Sequence, residues 1–173
     1  MSKQTETASA AAKDQLLISH VFNAPRQLVW RAWTESEQLM HWWGPKGVTM
    51  KVATLDLRPG GRLHYCYEMP DGNVMWGLFN YLEVSAPERL VYTNAFSDAE
   101  GNIVRAPFSA DWPLEIMNTV TLHEENGQTI LTLRGGPHNP SAAEQAAFDA
   151  MKGGIPTAFK GTLSQLEEYL AKA

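Results

Sequence analysis

The last part of the chain reads SAAEQAAFDAMKGGIPTAFKGTLSQLEEYLAKA, from residue 141 to residue 173. Large apolar residues recur in it at spacings of three and four, the period of one helix face. These residues are Phe148, Met151, Ile155, Phe159, Leu163, Leu166 and Leu170. Ser141 and Glu144 have capping-box spacing, so we expect a long helix to begin there. Pro156 cannot donate a backbone hydrogen bond, which predicts a kink or break beside Gly153 and Gly154, with both halves facing one sheet.

Before this helix, segments rich in β-branched and aromatic residues alternate with turn residues. Pro59-Gly60-Gly61, Asp71-Gly72 and Asn126-Gly127 separate such segments, as hairpin turns do. The absence of a helix-length connection between the segments favours antiparallel pairing. The predicted strands cover residues 47–57, 62–69, 73–84, 88–96, 115–124 and 128–135.

The connection over residues 97–114 is longer than the others, and connections of this length are often functional. Phe108 and Trp112 lie within it, and two large rings favour a packed segment over a loose one. We therefore expect this connection to form a lid over a neighbouring site.

A further strand and two short helices are predicted near the start of the chain. Ile18 and Phe22 belong to an alternating segment that is typical of a strand. Asn23 followed by Pro25 favours a helix start, because an Asn side chain can cap free backbone N–H groups. Thr34, with a glutamate three positions later, has the spacing of a second capping box. A second short helix should therefore extend to Gly44-Pro45.

These elements predict an α+β fold, in which a curved antiparallel sheet of about seven strands wraps around a long C-terminal helix. Two short helices follow the first strand. The polar, small side chains of residues 1–14 have nothing to bury, so we expect a disordered tail. The remaining residues, 15–173, form a single domain in this interpretation.

Composition excludes several classes of function. The chain has 14 Lys and Arg against 19 Asp and Glu, a net charge of −5, and no basic cluster for nucleic acid or an anionic membrane. No apolar run approaches the roughly 18 residues of a membrane span, and residues 1–14 lack the apolar middle of a signal peptide, so we expect a cytoplasmic protein. Cys66 is the single cysteine, which rules out an internal disulfide.

The order of elements and motifs resembles the START-like helix-grip superfamily, also called SRPBCC. Within it, the chain is similar to the branch named after the activator of the heat-shock-protein-90 ATPase. The motifs are Phe22-Asn23-Ala24-Pro25, Val29-Trp30, Trp33, Trp42-Trp43-Gly44-Pro45, Pro59-Gly60-Gly61, Pro87-Glu88-Arg89-Leu90-Val91-Tyr92, Gly161-Thr162-Leu163 and Leu166. The resemblance implies a cavity between sheet and helix for an apolar or aromatic small molecule, but no single reaction.

Aromatic residues with polar tips are abundant, and such side chains suit a cavity that stacks an apolar ligand and orients it by a few hydrogen bonds. The candidate ligand-binding residues are Trp33, Trp43, Tyr65, Tyr67, Trp76, Tyr81, Tyr92, Asn94, Phe96, Trp112, Phe148, Met151, Ile155 and Phe159. The alternative for each ring is an ordinary place in the core. If the strand faces that carry Tyr65 and Tyr92 point outward, they indicate a homodimer or another partner surface instead.

His64, Cys66 and Glu68 alternate along one strand, and all three side-chain types bind zinc. Successive side chains on one face of a strand are about 7 Å apart, too far to share one ion unaided. We therefore predict no metal site and interpret this face as a polar one exposed to solvent.

The sequence contains no nucleophile elbow, no phosphate-binding loop and no dinucleotide motif, so we assign neither a catalytic residue nor a cofactor. A binding domain for a small hydrophobic or aromatic molecule is the first hypothesis. An enzyme of the cyclase, dehydratase or hydrolase kind, with a carboxylate or histidine in the cavity as base, is the second. A chaperone-associated interaction module ranks third.

Overall fold

The computed structural model describes residues 16–44 and 47–172, except the side chains of residues 52 and 53. The predicted tail over residues 1–14 lies outside the described residues. The strands are β1 (Leu16–Phe22), β2 (Thr49–Leu55), β3 (Arg62–Glu68), β4 (Val74–Ser85), β5 (Arg89–Ser97), β6 (Ile116–Glu125) and β7 (Gln128–Pro137). The helices are α1 (Arg26–Thr34), α2 (Ser36–Trp42), α3 (Ala142–Met151) and α4 (Ile155–Lys172).

The strands form one sheet in the order β1-β7-β6-β5-β4-β3-β2, and all neighbours are antiparallel. This confirms the predicted α+β fold with seven antiparallel strands and two short helices after the first strand.

The β6–β7 turn shows how the sequence directs the pairing. Asn126 and Gly127 have φ angles of 54° and 77°, and a two-residue turn with both φ angles positive matches the twist of the strands it joins.

The C-terminal helix is divided as the sequence predicts. The Ser141 hydroxyl accepts a hydrogen bond from the Glu144 backbone N–H, and the Glu144 carboxylate accepts one from the Ser141 N–H, so the capping box is complete. Helix α3 then ends at Met151, and α4 begins at Ile155. The break falls at the two glycines before Pro156, where a continuous helix would lose backbone hydrogen bonds.

Both capping predictions near the start of the chain are wrong. Pro25 occupies the N-cap position of α1 and Glu35 that of α2, and neither makes a side-chain cap hydrogen bond. Thr34 is instead the last residue of α1, where its hydroxyl donates to the Trp30 carbonyl at 2.7 Å. A threonine inside a helix can satisfy its hydroxyl in this way, one turn back.

Part of the core lies where α1 and α2 pack against α4. Trp33 and Trp42 are fully buried and pack edge to face, with ring centroids 5.0 Å apart. Leu163 and Leu166 of α4 are also fully buried. Among the described residues, no helix has both the length and the apolar composition needed to cross a membrane.

Candidate ligand-binding cavity

A cavity of about 280 Å³ lies between the inner face of the sheet and the α3–α4 junction. Strands β5, β6, β7 and β1 supply its floor, since Tyr92, Ile116, Leu133 and Ile18 point from four adjacent strands to the same side. The helices and the connection over residues 98–115, here called the β5–β6 loop, supply the roof. The roof residues are Phe108, Trp112, Phe148, Ile155 and Phe159.

Two asparagine side chains form a pair of polar groups in this cavity, whose lining also includes the hydroxyl-bearing Tyr92 and the indole of Trp43. Asn94 and Asn118 both line it, and Asn118 Nδ2 donates to Asn94 Oδ1 at 2.6 Å. The same Nδ2 atom donates to the Ile116 carbonyl at 3.3 Å. Gly135 faces Asn118 from β7, and a Cβ added there would lie 2.6 Å from Asn118 Oδ1. The missing side chain at Gly135 therefore makes the room that the Asn118 amide occupies.

The β5–β6 loop covers part of the cavity with a chain of aromatic contacts. Phe108 lies 5.8 Å from Phe96 and 5.5 Å from Trp112, measured between ring centroids. Trp112 in turn lies 5.8 Å from Phe148 of α3. Phe108 nevertheless remains 53% exposed, so this residue lines the cavity and also faces solvent. This arrangement agrees with the packed connection that the sequence predicts.

One carboxylate fixes the loop to α3. Glu144 Oε2 accepts hydrogen bonds from Arg105 Nη1 at 2.7 Å and from the Leu114 backbone N–H at 3.3 Å. Hydrogen bonds from the Ser141 backbone and the Arg105 guanidinium lower the pKa of the Glu144 carboxyl to about 2. Glu144 is therefore ionised at neutral pH and joins the middle of the loop, at Arg105, and its end, at Leu114, to the start of the helix.

Two further cavities adjoin the first, and one side chain borders all three. A cavity of about 290 Å³ is lined by Tyr65 and Tyr67, and one of about 240 Å³ lies between Tyr67 and the start of α4. Trp43 lines both of these and the main cavity. Its ring makes edge-to-face contacts with Phe79 at 5.2 Å and with Trp33 at 5.6 Å. The indole of Trp43 is thus a partition between three spaces.

The tyrosines of these cavities are neutral. Burial raises the pKa of Tyr92 and of Tyr67 well above the ordinary value for a phenol, and it also raises the pKa of Tyr65. Tyr92 is the single titratable side chain lining the main cavity in the part of the chain that the structure describes. The main cavity therefore presents no charge near neutral pH, which suits an uncharged ligand.

The structure brings together most of the candidate residues around these three spaces: Trp43, Tyr65, Tyr67, Tyr92, Asn94, Phe96, Trp112, Phe148, Ile155 and Phe159. Trp76 also borders the second cavity, but its ring stacks on His64, on the outer face of the sheet. Three others line none of the described cavities. Trp33 and Tyr81 are buried in the core, each with 1% of its surface exposed. Met151 ends α3 on the solvent side, with 46% of its surface exposed.

Several lining residues were missed from the sequence: Leu16, Ile18, Phe108, Ile116, Asn118 and Leu133. Asn118 pairs directly with Tyr92 across β5 and β6, so the two side chains lie on the same face. Asn118 could have been identified by asking which residue of the next strand pairs with Tyr92. That step needs the register between β5 and β6, which depends on contacts between distant segments.

The prediction that His64 and Cys66 face solvent is wrong. They are 6% and 9% exposed, on the outer face of the sheet. The Trp76 ring stacks on His64 with centroids 4.8 Å apart, and His64 Nε2 lies 3.1 Å from the Asp98 carbonyl oxygen. A side chain of β4 and the start of the β5–β6 loop therefore cover this face.

Over residues 16–44 and 47–172, no three metal-ligating side chains are grouped closely enough to hold an ion.

A seven-stranded antiparallel sheet, a divided C-terminal helix and an apolar cavity between them define a helix-grip domain. The model of the family described as activator of Hsp90 ATPase homolog 1-like protein matches residues 23–171. The chain belongs to this family.

Solved structures of similar fold come from several bacteria. A protein of Mycobacterium smegmatis is 27% identical, with a TM-score of 0.72 and 90% of each chain covered. A protein of Staphylococcus epidermidis is 26% identical, with a TM-score of 0.74 and coverage of 92% of this chain and 90% of the other. A protein of Arthrobacter aurescens is 24% identical, with a TM-score of 0.76 and coverage of 92% and 87%, and shows likeness of fold. No curated protein matches the chain.

Proposed function

We propose that this domain binds an uncharged apolar or aromatic small molecule in the main cavity. The observation that carries the proposal is an apolar space of about 280 Å³ whose floor and roof come from different elements. Its aromatic lining offers contacts to a flat ring from Tyr92 below and Phe148 above. An apolar, aromatic lining with a few polar groups is typical of small-molecule sites, and a volume just below their usual range of about 300–1,000 Å³ suits a small ligand.

The chemistry of the lining supports binding over catalysis. General acid–base catalysis needs a group whose pKa lies near the operating pH. Tyr92 is the titratable group of the described lining, and burial raises its pKa well above the ordinary value. A hydrolase or cyclase that relies on a carboxylate or histidine base finds none among these lining residues.

The proposal is tested with a neutral fluorescent dye, N-phenylnaphthylamine, and a matched pair of variants. Ile116 lines the cavity, whereas Met117, its neighbour on β6, is 38% exposed on the other face. We expect Ile116→Phe to fill the cavity and weaken dye binding about tenfold or more, and Met117→Phe to leave it unchanged. Equal dye affinity in both variants, or no binding to the unmodified protein, would refute the proposal.

The family match favours a second candidate, an interaction with the ATPase named in the family description. This candidate needs a protein-binding surface and does not depend on the cavity. Measuring the ATPase rate of the chaperone with and without this protein tests it directly. Stimulation that persists in Ile116→Phe would support an interaction module, and an unchanged rate would remove it.

A further inference from the structure

The hydrogen bonds of the asparagine pair determine which of its polar atoms face a ligand. A backbone carbonyl can only accept, so the Asn118 atom that contacts the Ile116 carbonyl at 3.3 Å must be the amide nitrogen. That nitrogen also lies 2.6 Å from Asn94, whose facing atom must then be the carbonyl oxygen. The orientation of both amides is therefore fixed by one main-chain group, although nitrogen and oxygen have similar shapes.

This orientation leaves one donor and one acceptor without partners. Asn94 Nδ2 donates to no described residue, and Asn118 Oδ1 accepts from none. A primary amide carries two donors and an oxygen with two acceptor sites, so the capacity of both groups is substantial. Both side chains line the main cavity, and Asn118 is 7% exposed. The cavity thus presents a neutral donor and a neutral acceptor on two amides that touch each other.

We infer that the ligand is an uncharged ring compound that carries a hydrogen-bond acceptor and a hydrogen-bond donor on one edge, as a lactam or carboxamide does. Its acceptor would take a hydrogen bond from Asn94 Nδ2, and its donor would give one to Asn118 Oδ1. This inference rests on the proposed function and specifies its ligand class. A purely apolar guest would leave both amide groups without a partner, and such desolvation is costly inside a protein.

The residues around the asparagine pair leave room for its polar atoms. Gly135 has no Cβ, and this makes space for Asn118 Oδ1. The neighbouring floor residues Ile116 and Leu133 are apolar. Asn94 also lines the second cavity beside Tyr65. A ligand held at this point therefore has apolar space on both sides of its polar edge.

The test compares three probes of closely similar shape: carbostyril, a lactam with donor and acceptor; N-methylcarbostyril, which lacks the donor; and naphthalene, which lacks both. We expect carbostyril to bind about tenfold more tightly than either of the others, measured by displacement of N-phenylnaphthylamine. Equal affinities for carbostyril and naphthalene would overturn the inference while leaving the proposed function intact. Failure of all three probes and of the dye to bind would overturn both.

Variants of the asparagine pair test whether these two side chains cause the preference for carbostyril. Asn118→Leu should weaken carbostyril binding about tenfold and leave naphthalene binding unchanged or improved. Thr119→Leu, on the same strand but the opposite face, is the matched control and should change neither affinity. Thermal unfolding verifies that each variant is folded, and Asn94→Leu gives the same test if Asn118→Leu does not fold. An equal loss for both probes would show that the asparagines shape the cavity without recognising the lactam.

Discussion

The Glu144 carboxylate lies 2.7 Å from Arg105 Nη1, so the first turn of α3 and the β5–β6 loop are joined by one ion pair. The other carboxylate oxygen completes the capping box with Ser141 at 2.8 Å. A glutamine at this position can still form the capping box, because its amide oxygen accepts the same hydrogen bond. The two roles of Glu144 are therefore separable by a single substitution.

Glu144→Gln is expected to release the loop while α3 stays folded. The amide group of the introduced glutamine carries no charge, so the ion pair with Arg105 is lost. Its N–H groups would also point toward the Leu114 N–H, which needs an acceptor. We expect several-fold faster hydrogen exchange over residues 105–114 and several-fold faster release of N-phenylnaphthylamine. Glu168→Gln, on the exposed side of α4, is the control. Unchanged exchange in Glu144→Gln would show that the aromatic contacts alone hold the loop.

Loop attachment should also depend on pH in a defined window. Folding lowers the pKa of Glu144 from 4.5 to about 2, so the folded protein binds its proton less readily than the unfolded chain does. The stabilising contribution is therefore complete above pH 4.5 and is lost as the pH falls toward 2. We expect dye release to accelerate within this window in the unmodified protein. The same acceleration in Glu144→Gln would assign the effect to another group.

Gly77 should be required for the packing of Tyr65. The tyrosine ring lies over this glycine, and an added Cβ would come within 2.7 Å of its Cζ and hydroxyl oxygen. We expect Gly77→Ala to lower the free energy of unfolding in urea by about 1–3 kcal/mol, as overpacking does. Gly153→Ala is the control, since a Cβ there meets nothing within 4 Å. Equal stability of Gly77→Ala and the unmodified protein would show that the ring can move aside without cost.

Removing the partition at Trp43 should enlarge the binding space. We expect Trp43→Leu to connect the three cavities and to bind pyrene, a rigid four-ring compound, more tightly than the unmodified protein does. Trp33→Leu is a matched control, because its ring belongs to the same cluster, 5.6 Å from Trp43, but borders none of the described cavities. Pyrene fluorescence measures binding, and urea unfolding measures the stability of each variant. Equal pyrene binding by both variants would attribute it to general loosening of the core.

Local chemistry made the architecture predictable. Asn126-Gly127 adopts the positive φ angles that its composition favours, and Ser141 with Glu144 caps α3 as their spacing predicts. These features act within a few residues and need no knowledge of the rest of the chain. The division of the last helix beside Pro156 follows for the same reason.

The missed features depend on contacts between distant segments. The burial of His64 comes from Trp76 on the next strand and from the main chain at Asp98. Strand alternation places His64 on the outer face correctly, but it does not reveal what covers that face. Asn118 was missed for a similar reason, since its partners lie on β5 and β7. Thr34 has the composition of a cap and instead satisfies its hydroxyl inside α1.

The central claim is that a small uncharged ring occupies the space between the sheet and the α3–α4 junction. The most direct measurement is of nuclear Overhauser effects between naphthalene protons and the methyl groups of the protein in solution. We predict effects to Ile116 and Leu133, which line the cavity, and none to Ile130, which does not. Naphthalene signals confined to methyl groups outside the cavity, or no contact with Ile116 and Leu133 at saturation, would contradict the account.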